Sequence, residues 1–368
     1  MKEEIDIESP INSIYIIQDK LIVACGGGPG LKNKIILYQL QLGNIGPKLI
    51  ENILEETPKF IEGIPSKGIF AICCDNHIIF YSISQDWKSF NELYTLDINP
   101  KDTIIISFKI NENILAVGDF EGELKLFNIT FKNSNKEIVS INEIGSFHNA
   151  HWRGINKIEF MTKKTSKGDL KFLITASGDG NCKIFDITDI PNITFVSNFS
   201  FRQSYAESAN YCMNDLIFLP EKHIAYTIQS SKNDKKAKSF LTKWDLTNVN
   251  YVKPLDTINI SNLPCSSLDI NEFKEYLGIT DVQGKIFFVD LSSFRICNKE
   301  TIGENQLKCC KFYQNYFVTG SIGYKLRIDK LKSGFNTAII KNIFYAFIII
   351  GICYYVYLKK NKLLDENF

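Results

Sequence analysis

Seven short β-hairpins recur along this chain, and this repetition constrains its fold more than any other feature. Each hairpin has an apolar strand, a tight polar turn containing Gly, Asp or Asn, and a second strand of alternating apolar residues. Their spacing of roughly 40 to 60 residues is typical of repeat proteins, in which each unit covers the apolar faces of its neighbours. The seven are LIVACGGGPGLKNKIILYQL from Leu21, FAICCDNHIIFYSI from Phe70, LAVGDFEGELKLFNI from Leu115, LITASGDGNCKIFDI from Leu173, AYTIQSSKNDKKAKSFLTKWDL from Ala225, LGITDVQGKIFFVDL from Leu277 and FVTGSIGYKLRIDKL from Phe317.

Units of this size predict an all-β fold, a seven-bladed β-propeller with four strands in each blade. The turn SGDG at residues 177–180, followed by a strand that ends in Phe185 and Asp186, resembles a WD-repeat blade, and Trp244 with Asp245 matches the signature dipeptide. We expect each turn to join the second and third strands of its blade, and residues 5–7 to complete the outer edge of the last blade. The alternative is a pair of β-sandwiches, but no linker rich in Pro, Gly or Ser divides the chain.

Charge and cysteine content exclude several function classes. Lys and Arg number 42 against 41 Asp and Glu, a formal net charge of +1, so no basic field indicates nucleic-acid binding. The ten cysteines include no CxxC pair, and adjacent residues such as Cys73 and Cys74 point to opposite faces of a strand, so we expect no zinc site. Reduced thiols in apolar strands indicate a cytosolic domain. The acidic N-terminus lacks the apolar core of a secretory signal peptide.

An uncharged run, IFYAFIIIGICYYVYL, occupies residues 343–358 and is bracketed by Lys341 and by Lys359, Lys360 and Lys362. At about 1.5 Å per residue it spans about 24 Å, and flanking lysines and tyrosines can extend it to the bilayer thickness of about 30 Å. We therefore expect a cytosolic propeller at 1–335, a C-terminal transmembrane helix at 336–358 and a short lumenal tail at 359–368. The alternative is a buried C-terminal helix, although a surface that is apolar all round is unusual for one.

The first hairpin has a turn, GGGPGLKN at residues 26–33, that is longer than two strands need. A phosphate-binding P-loop or a dinucleotide fingerprint leads into a helix, whereas this turn leads into a strand, so both are excluded. Two interpretations remain. The turn is either a flexible loop or one that Pro29 stiffens and whose glycine carbonyls turn inward, as carbonyls do around a monovalent cation.

The stretch VACGGGPGLKNK in the first blade of a seven-bladed propeller, with a C-terminal membrane span, resembles the Sec-twelve (prolactin regulatory element-binding protein) family. Members are guanine-nucleotide exchange factors of the endoplasmic reticulum that act on the Sar-type small GTPase and so start COPII coat assembly. In that family the first-blade loop binds potassium and ends in an asparagine important for exchange. Gly26, Gly27 and Gly28 match the glycine run, and Asn33 matches the asparagine.

The resemblance implies a specific site, two partners and a location. The expected exchange residues are Asn33 with Gly30, Leu31 and Lys32. The expected potassium ligands are the backbone carbonyls of Gly26, Gly27, Gly28 and Gly30. We expect the carboxamide of Asn33 to compete for polar groups that otherwise serve the phosphate or magnesium of the GTPase. The expected partners are that GTPase and the endoplasmic reticulum membrane, which the chain crosses once with its propeller in the cytosol, and no nucleic acid.

No Ser/His/Asp, paired-carboxylate or metal constellation stands out, so we expect no enzyme with covalent chemistry. The alternative function is a membrane-tethered WD-repeat scaffold whose loop is inert.

Two further groups of residues have expected roles. His148 and His151 are expected to form structural hydrogen bonds. The lysines at 232, 235, 236 and 238 are expected to lie in a solvated loop, with an anionic-lipid contact as the alternative.

Overall fold

The computed structural model describes residues 2–98, 103–132, 137–166, 168–201, 205–232, 238–303 and 306–331. These residues form seven antiparallel sheets of four strands each. The first strands of successive sheets contact one another in order around the molecule, and β26 of the last sheet contacts β2 of the first, so the sheets close into a ring. The prediction of a seven-bladed propeller is confirmed.

Blades 1 to 4 follow one another along the chain. Blade 1 contains β2 to β5, at Ile11–Ile17, Lys20–Cys25, Asn33–Gln41 and Asn44–Leu54. Blade 2 contains β6 to β9, at Pro58–Ile64, Ile69–Cys74, His77–Ile83 and Phe90–Asp97, with a single 3-10 turn at Pro65–Lys67. Blade 3 contains β10 to β13, at Ile105–Asn111, Ile114–Asp119, Leu124–Phe131 and Ile138–Phe147. Blade 4 contains β14 to β17, at Ile155–Thr165, Gly168–Ser177, Asn181–Asp186 and Thr194–Ser200.

Blades 5 to 7 complete the ring. Blade 5 contains β18 to β21, at Tyr211–Leu219, Ile224–Ser231, Ser239–Asp245 and Lys253–Ser261, and a short helix, α1 at Tyr205–Ser208, precedes it. Blade 6 contains β22 to β25, at Cys265–Ile270, Tyr276–Asp281, Lys285–Asp290 and Arg295–Thr301. Blade 7 contains β26 to β28, at Leu307–Tyr313, Tyr316–Ser321 and Lys325–Lys330, together with β1 at Lys2–Asp6.

The N-terminal strand closes the ring, as predicted for residues 5–7. Strand β1 pairs antiparallel with β28, with Ile5 opposite Leu326. Ile7 lies just past the strand, where its N–H donates to the carbonyl of Tyr324 at 2.9 Å. Because the first and last parts of the propeller share one sheet, the ring is complete within residues 2–330.

The apolar core lies between neighbouring blades. The second strands β3 and β7 are buried along their whole length, because each of their faces packs on another blade. Between blades 1 and 2, for example, Ile22 and Ile35 form one cluster with Phe70 and Tyr81. The fourth strands are more exposed, and Lys253–Ser261 is exposed over most of its length. This division explains why the second and third strands give the clearest hydrophobic signal in the sequence.

The turns between second and third strands lie on the same face as the connections between blades. In blade 3 the turn carbonyl of Gly122 accepts the N–H of His151, which lies in the connection to blade 4, at 3.0 Å. Likewise the N–H of Ile105, at the start of blade 3, donates to the backbone carbonyl of Asp75, in the turn of blade 2, at 2.9 Å. We call this the connection face. The turns between first and second strands, and between third and fourth strands, lie on the opposite face.

The expected transmembrane segment at 336–358 and the tail at 359–368 lie outside the described residues. Contacts along the chain separate residues 1–330 as one compact unit from residues 331–368. Within the ranges given above, no helix is long and apolar enough to cross a bilayer.

Candidate functional site

The glycine-rich turn of blade 1 joins the end of β3, at Cys25, to the start of β4, at Asn33, on the connection face. Both of its ends are tied to the segment that enters blade 1. The N–H of Gly26 donates to the carbonyl of Pro10 at 2.8 Å, and the hydroxyl of Ser9 donates to the carbonyl of Lys32 at 3.2 Å. We call residues 26–33 the glycine loop. Hydrogen bonds therefore hold both ends of the loop against the body of the propeller.

The carboxamide of Asn33 holds the loop together from within. Its Oδ1 accepts hydrogen bonds from the N–H of Gly27 and from the hydroxyl of Thr57, both at 3.1 Å. Its Nδ2 donates to the carbonyl of Glu55 at 3.1 Å. Glu55 and Thr57 belong to the connection between blades 1 and 2, so one side chain ties the loop across itself and to the next blade.

The hydrogen bonds of Asn33 that close the loop require glycine at positions 26 and 27. Gly26 and Gly27 have φ of +139° and +94°, in the region that favours glycine. A Cβ on Gly26 would lie 2.3 Å from Asn33 Oδ1, and one on Gly27 would lie 2.9 Å from the Cγ2 methyl of Thr57. Any side chain at these positions would therefore displace the contacts that close the loop.

The tip of the loop presents mainly backbone. Residues 28–31 form a tight turn in which the N–H of Leu31 donates to the carbonyl of Gly28 at 3.0 Å. Gly27, Pro29, Gly30 and Lys32 are exposed, whereas Leu31 is half-buried. A Cβ on Gly30 would meet no atom within 4 Å. The tip is thus a narrow ridge that a partner can approach closely.

The carbonyls predicted to bind potassium are partly occupied by hydrogen bonds. The Gly26 carbonyl accepts from Asn12 Nδ2 at 3.1 Å, and the Gly28 carbonyl accepts from Leu31. A carbonyl oxygen has two lone pairs, so each retains one for a cation. Beneath the loop, burial raises the pKa of the Cys25 thiol to about 12, which keeps it from serving as a thiolate ligand. By the chemistry of its donors, this loop offers a cation backbone carbonyl oxygens and no thiolate.

The expected structural role of the histidines is confirmed. His151 is buried, and its Nδ1 lies 3.0 Å from Asp179 Oδ2 while its Nε2 lies 2.8 Å from Thr175 Oγ1. Burial lowers the pKa of His151, so the neutral ring donates from Nδ1 and accepts at Nε2. His148 is exposed and lies 2.9 Å from Glu123. The signature Trp244 is also buried and donates from Nε1 to Thr227 Oγ1 at 2.8 Å.

A charged network in the central channel escaped the sequence analysis. Lys109 lies 3.5 Å from Glu62 and 3.4 Å from Glu159, and three first strands contribute these residues. Burial opposes the charge on Lys109, but the carboxylates of Glu159 and Glu62 outweigh it and raise its pKa. Similar pairs join Lys157 to Asp215 and Lys311 to Asp269. All seven blades line the channel, whose cavity volume is about 190 Å³. The only signal in the sequence is that every first strand except β2 contains at least one charged residue.

Comparison with known proteins supports the architecture. No protein-family model and no curated protein matches the sequence of the chain. Among solved structures, the crystal structure of Sqt1 from Saccharomyces cerevisiae, a WD-repeat protein, is similar with a TM-score of 0.62 at 13% identity. The match covers 90% of this chain and 85% of Sqt1. At this identity the likeness shows the fold alone. With seven closed blades and buried Trp244 and His151, the chain has the fold of a WD-repeat-type β-propeller.

Proposed function

We propose that the protein is a guanine-nucleotide exchange factor for a Sar-type small GTPase, anchored in the endoplasmic reticulum membrane, where it starts COPII coat assembly and export. The observation that carries the proposal is the glycine loop, which is closed by Asn33 and presents a narrow backbone ridge on the connection face. The sequence of this loop carries the resemblance to the Sec-twelve family, and its geometry suits insertion into a partner.

An exchange factor makes and breaks no covalent bond. It binds the nucleotide-free GTPase more tightly than the loaded form, and by linkage it weakens nucleotide binding by the same factor. A loop that is already ordered loses little conformational entropy when it docks, so more of its contact energy is available to displace nucleotide. The tight turn at residues 28–31 and the hydrogen bonds of Asn33 supply that order before the partner arrives.

In this mechanism Asn33 is a positioning residue. Its oxygen accepts two hydrogen bonds and its nitrogen donates one, all within the propeller. Direct competition for the phosphate or magnesium groups of the GTPase would require these bonds to be exchanged for new ones. We therefore assign the direct contacts to the exposed tip, at Gly30 and Lys32 with the adjoining Leu31, and assign to Asn33 the task of holding that tip.

Potassium is part of the proposal. The carbonyls of Gly26, Gly27, Gly28 and Gly30 would hold the ion, which would stabilise the conformation of the loop.

The membrane anchor, residues 336–358, would follow the last strand after a few residues, so the propeller would stay near the bilayer. Exchange would then occur where a GTPase with an amphipathic membrane segment is recruited.

The test is release of a fluorescent GDP analogue from a Sar-type GTPase, with the full-length protein in detergent micelles. We expect the wild-type protein to accelerate release by about tenfold or more, equivalent to about 1.4 kcal/mol of the barrier. We expect Asn33→Ala to lose most of this acceleration. The matched control is Asn142→Ala, which removes an exposed asparagine from the outer strand β13. An unchanged release rate with the wild-type protein overturns the proposal.

A membrane-tethered scaffold without exchange activity is the second candidate. The WD-repeat-type fold favours it, because propellers of this kind serve many functions as docking platforms. A scaffold would bind the GTPase with similar affinity in its loaded and nucleotide-free forms. Measuring both affinities by fluorescence anisotropy separates the two candidates, because an exchange factor must prefer the nucleotide-free form.

A further inference from the structure

Three large apolar side chains are exposed together on the connection face, where blades 3 and 4 meet. Trp152 is 79% exposed, Phe120 is 61% exposed and Ile104 is 43% exposed. The N–H of Phe120 donates to the carbonyl of Ile104 at 2.9 Å, and the turn that follows Phe120 is bonded to the segment that contains Trp152. We call Ile104, Phe120 and Trp152 the Trp152 patch.

The backbone under the patch is held firmly. The N–H of Trp152 donates to Asp179 Oδ2 at 3.2 Å, and the carbonyl of Arg153 accepts from the hydroxyl of Ser177 at 2.9 Å. The indole therefore stands on a fixed backbone with its ring in water. A rigid exposed Trp has the chemistry of a binding hot spot, because it offers a large contact area at a low entropic cost.

The charges beside the patch are mixed. Arg153 is exposed, and burial together with the charge of Arg153 lowers the pKa of Lys232, so the two cations lie near each other. On the blade 3 side, Glu121 is exposed, and Glu123 is paired with His148. An anionic lipid surface attracts clusters of several cations without acids among them. The patch therefore suits a partner protein whose surface has an apolar centre and a carboxylate that faces Arg153.

Interface size points to the occupant. A stable complex buries about 800 Å² on each partner, with about 20 to 30 residues a side. The exposed part of the glycine loop amounts to Gly27, Pro29, Gly30 and Lys32, which cannot supply that area alone. A GTPase that receives the loop must therefore touch more of the connection face. Ile322 and Tyr324 are also exposed on this face, at 38% and 37%, but Trp152 and Phe120 expose a larger fraction of their side chains.

We propose that the Trp152 patch is a second docking site for the GTPase that the glycine loop engages. This inference rests on the proposed function, and it assigns the two sites different tasks. The patch contributes affinity for the GTPase, whereas the loop contributes the preference for its nucleotide-free form. Loss of the patch therefore raises the concentration needed for exchange and leaves the rate at saturation nearly unchanged.

The experiment compares Trp152→Ala and Phe120→Ala with Phe273→Ala in the full-length protein in detergent micelles. Phe273 is 62% exposed but lies in the turn between β22 and β23, on the opposite face, so it controls for loss of an exposed aromatic ring. We expect Trp152→Ala to raise the Kd for the nucleotide-free GTPase by about 30-fold, which corresponds to about 2 kcal/mol. Phe120→Ala should raise it less, and Phe273→Ala should leave it within about twofold of wild type. Equal melting temperatures check that all three variants are folded.

The outcomes separate the two proposals. If the wild-type protein neither binds the GTPase nor accelerates GDP release, the proposed function fails and this docking site fails with it. If the wild-type protein is active and Trp152→Ala matches it in Kd, only the docking site is overturned.

A third arm uses residues 1–335, which contain the complete ring, with vesicles of phosphatidylcholine and phosphatidylserine. One outcome is that the wild-type propeller binds these vesicles, Trp152→Ala abolishes the binding, and the Kd for the GTPase is unchanged. The patch would then be a lipid-binding surface, and the proposal would be overturned.

Discussion

The side chain of Asn214 reaches from blade 5 to blade 6, where its Nδ2 donates to the carbonyl of Cys265 at 2.6 Å. Asn12 and Asn156 form the same bond to the next blade, to Pro58 at 3.0 Å and to Met213 at 2.8 Å. In each case the asparagine lies at a register shift near the start of the first strand. A bulge turns one residue out of the ladder, so its side chain is free to bridge to the neighbouring sheet.

We expect Asn214→Ala to destabilise the propeller by about 1–3 kcal/mol, because the carbonyl of Cys265 and the hydroxyl of Ser230 both lose a partner in a confined site. Urea denaturation followed by circular dichroism measures the change. Asn142→Ala, at an exposed position, should change the free energy of unfolding by less than about 0.5 kcal/mol. Equal effects of the two variants would show that the bridge between blades adds nothing to stability.

Closure of the glycine loop depends on the absence of a side chain at Gly26. In Gly26→Ala the new Cβ would meet Asn33 Oδ1, and the residue would keep a φ that costs about 1–3 kcal/mol. Gly30→Ala is the matched control, since its φ of +72° is also positive but its Cβ would lie in open space. We expect a clearly larger fall in melting temperature for Gly26→Ala. If both variants melt alike, the contact with Asn33 does not close the loop.

Hydrogen exchange tests the positioning role of Asn33 without any partner. The N–H of Gly27 is protected by Asn33 Oδ1, so Asn33→Ala should raise its exchange rate by about tenfold or more. Asn33→Asp keeps an acceptor oxygen and should retain most of the protection, although it loses the bond to Glu55. Lys32→Ala should behave as wild type. Unchanged protection of Gly27 in Asn33→Ala would contradict the assignment.

The potassium proposal predicts ion dependence in the same loop. Replacing potassium chloride by choline chloride at equal ionic strength should raise the exchange rates of the amides of Gly27, Gly28, Gly30 and Leu31, because carbonyls that surround an ion repel one another once it is removed. Amides of the blade 2 turn, at Asp75 and Asn76, serve as the internal control. If both turns respond equally, the effect is a general one and the loop holds no potassium.

Local signals in the sequence were sufficient to predict the fold. The second strands are mostly buried, the third strands alternate buried and partly exposed residues, and the segments between them carry Gly, Asp or Asn, so the hairpins stand out in the sequence. The sequence predicts closure by residues 5–7 because a strand-like segment precedes the first complete blade. The first strands were harder to place, since their bulges break the period of two and their channel-facing side chains, such as Lys109 and Glu62, are charged.

The candidate site could be predicted only in part. Consecutive glycines indicate an unusual turn, and the sequence located that turn correctly on the connection face. It could not indicate that Asn33 bonds to Glu55 and Thr57, because these partners lie 22 and 24 residues away and meet it only once blades 1 and 2 have packed. The Trp152 patch also left no local signal, because its three residues lie in separate turns and connections that come together only in the folded ring.

The pair formed by His151 and Asp179 predicts how stability depends on pH. Burial lowers the pKa of His151 below its ordinary value of about 6.5, so the unfolded chain takes up a proton more readily than the folded chain does. The stability that this group supports is present above about pH 6.5 and is lost as the pH falls further. The pKa of Asp179 is held to about 2, against the effect of burial, by hydrogen bonds from His151 and from the N–H groups of Asn181 and Trp152. Its contribution is lost at lower pH, between about 4 and 2.

We therefore expect the wild-type protein to lose stability between pH 7 and pH 5 with a slope of up to about 1.4 kcal/mol per pH unit from His151. His151→Gln cannot gain this charge, so it should be less stable at pH 7 but show a shallower dependence over that range. His148→Gln, which removes a histidine whose side chain is 70% exposed, is the matched control for the loss of an imidazole ring. Urea midpoints measured at half-unit steps of pH give the three slopes. A wild-type slope in His151→Gln would mean that other groups control unfolding by acid.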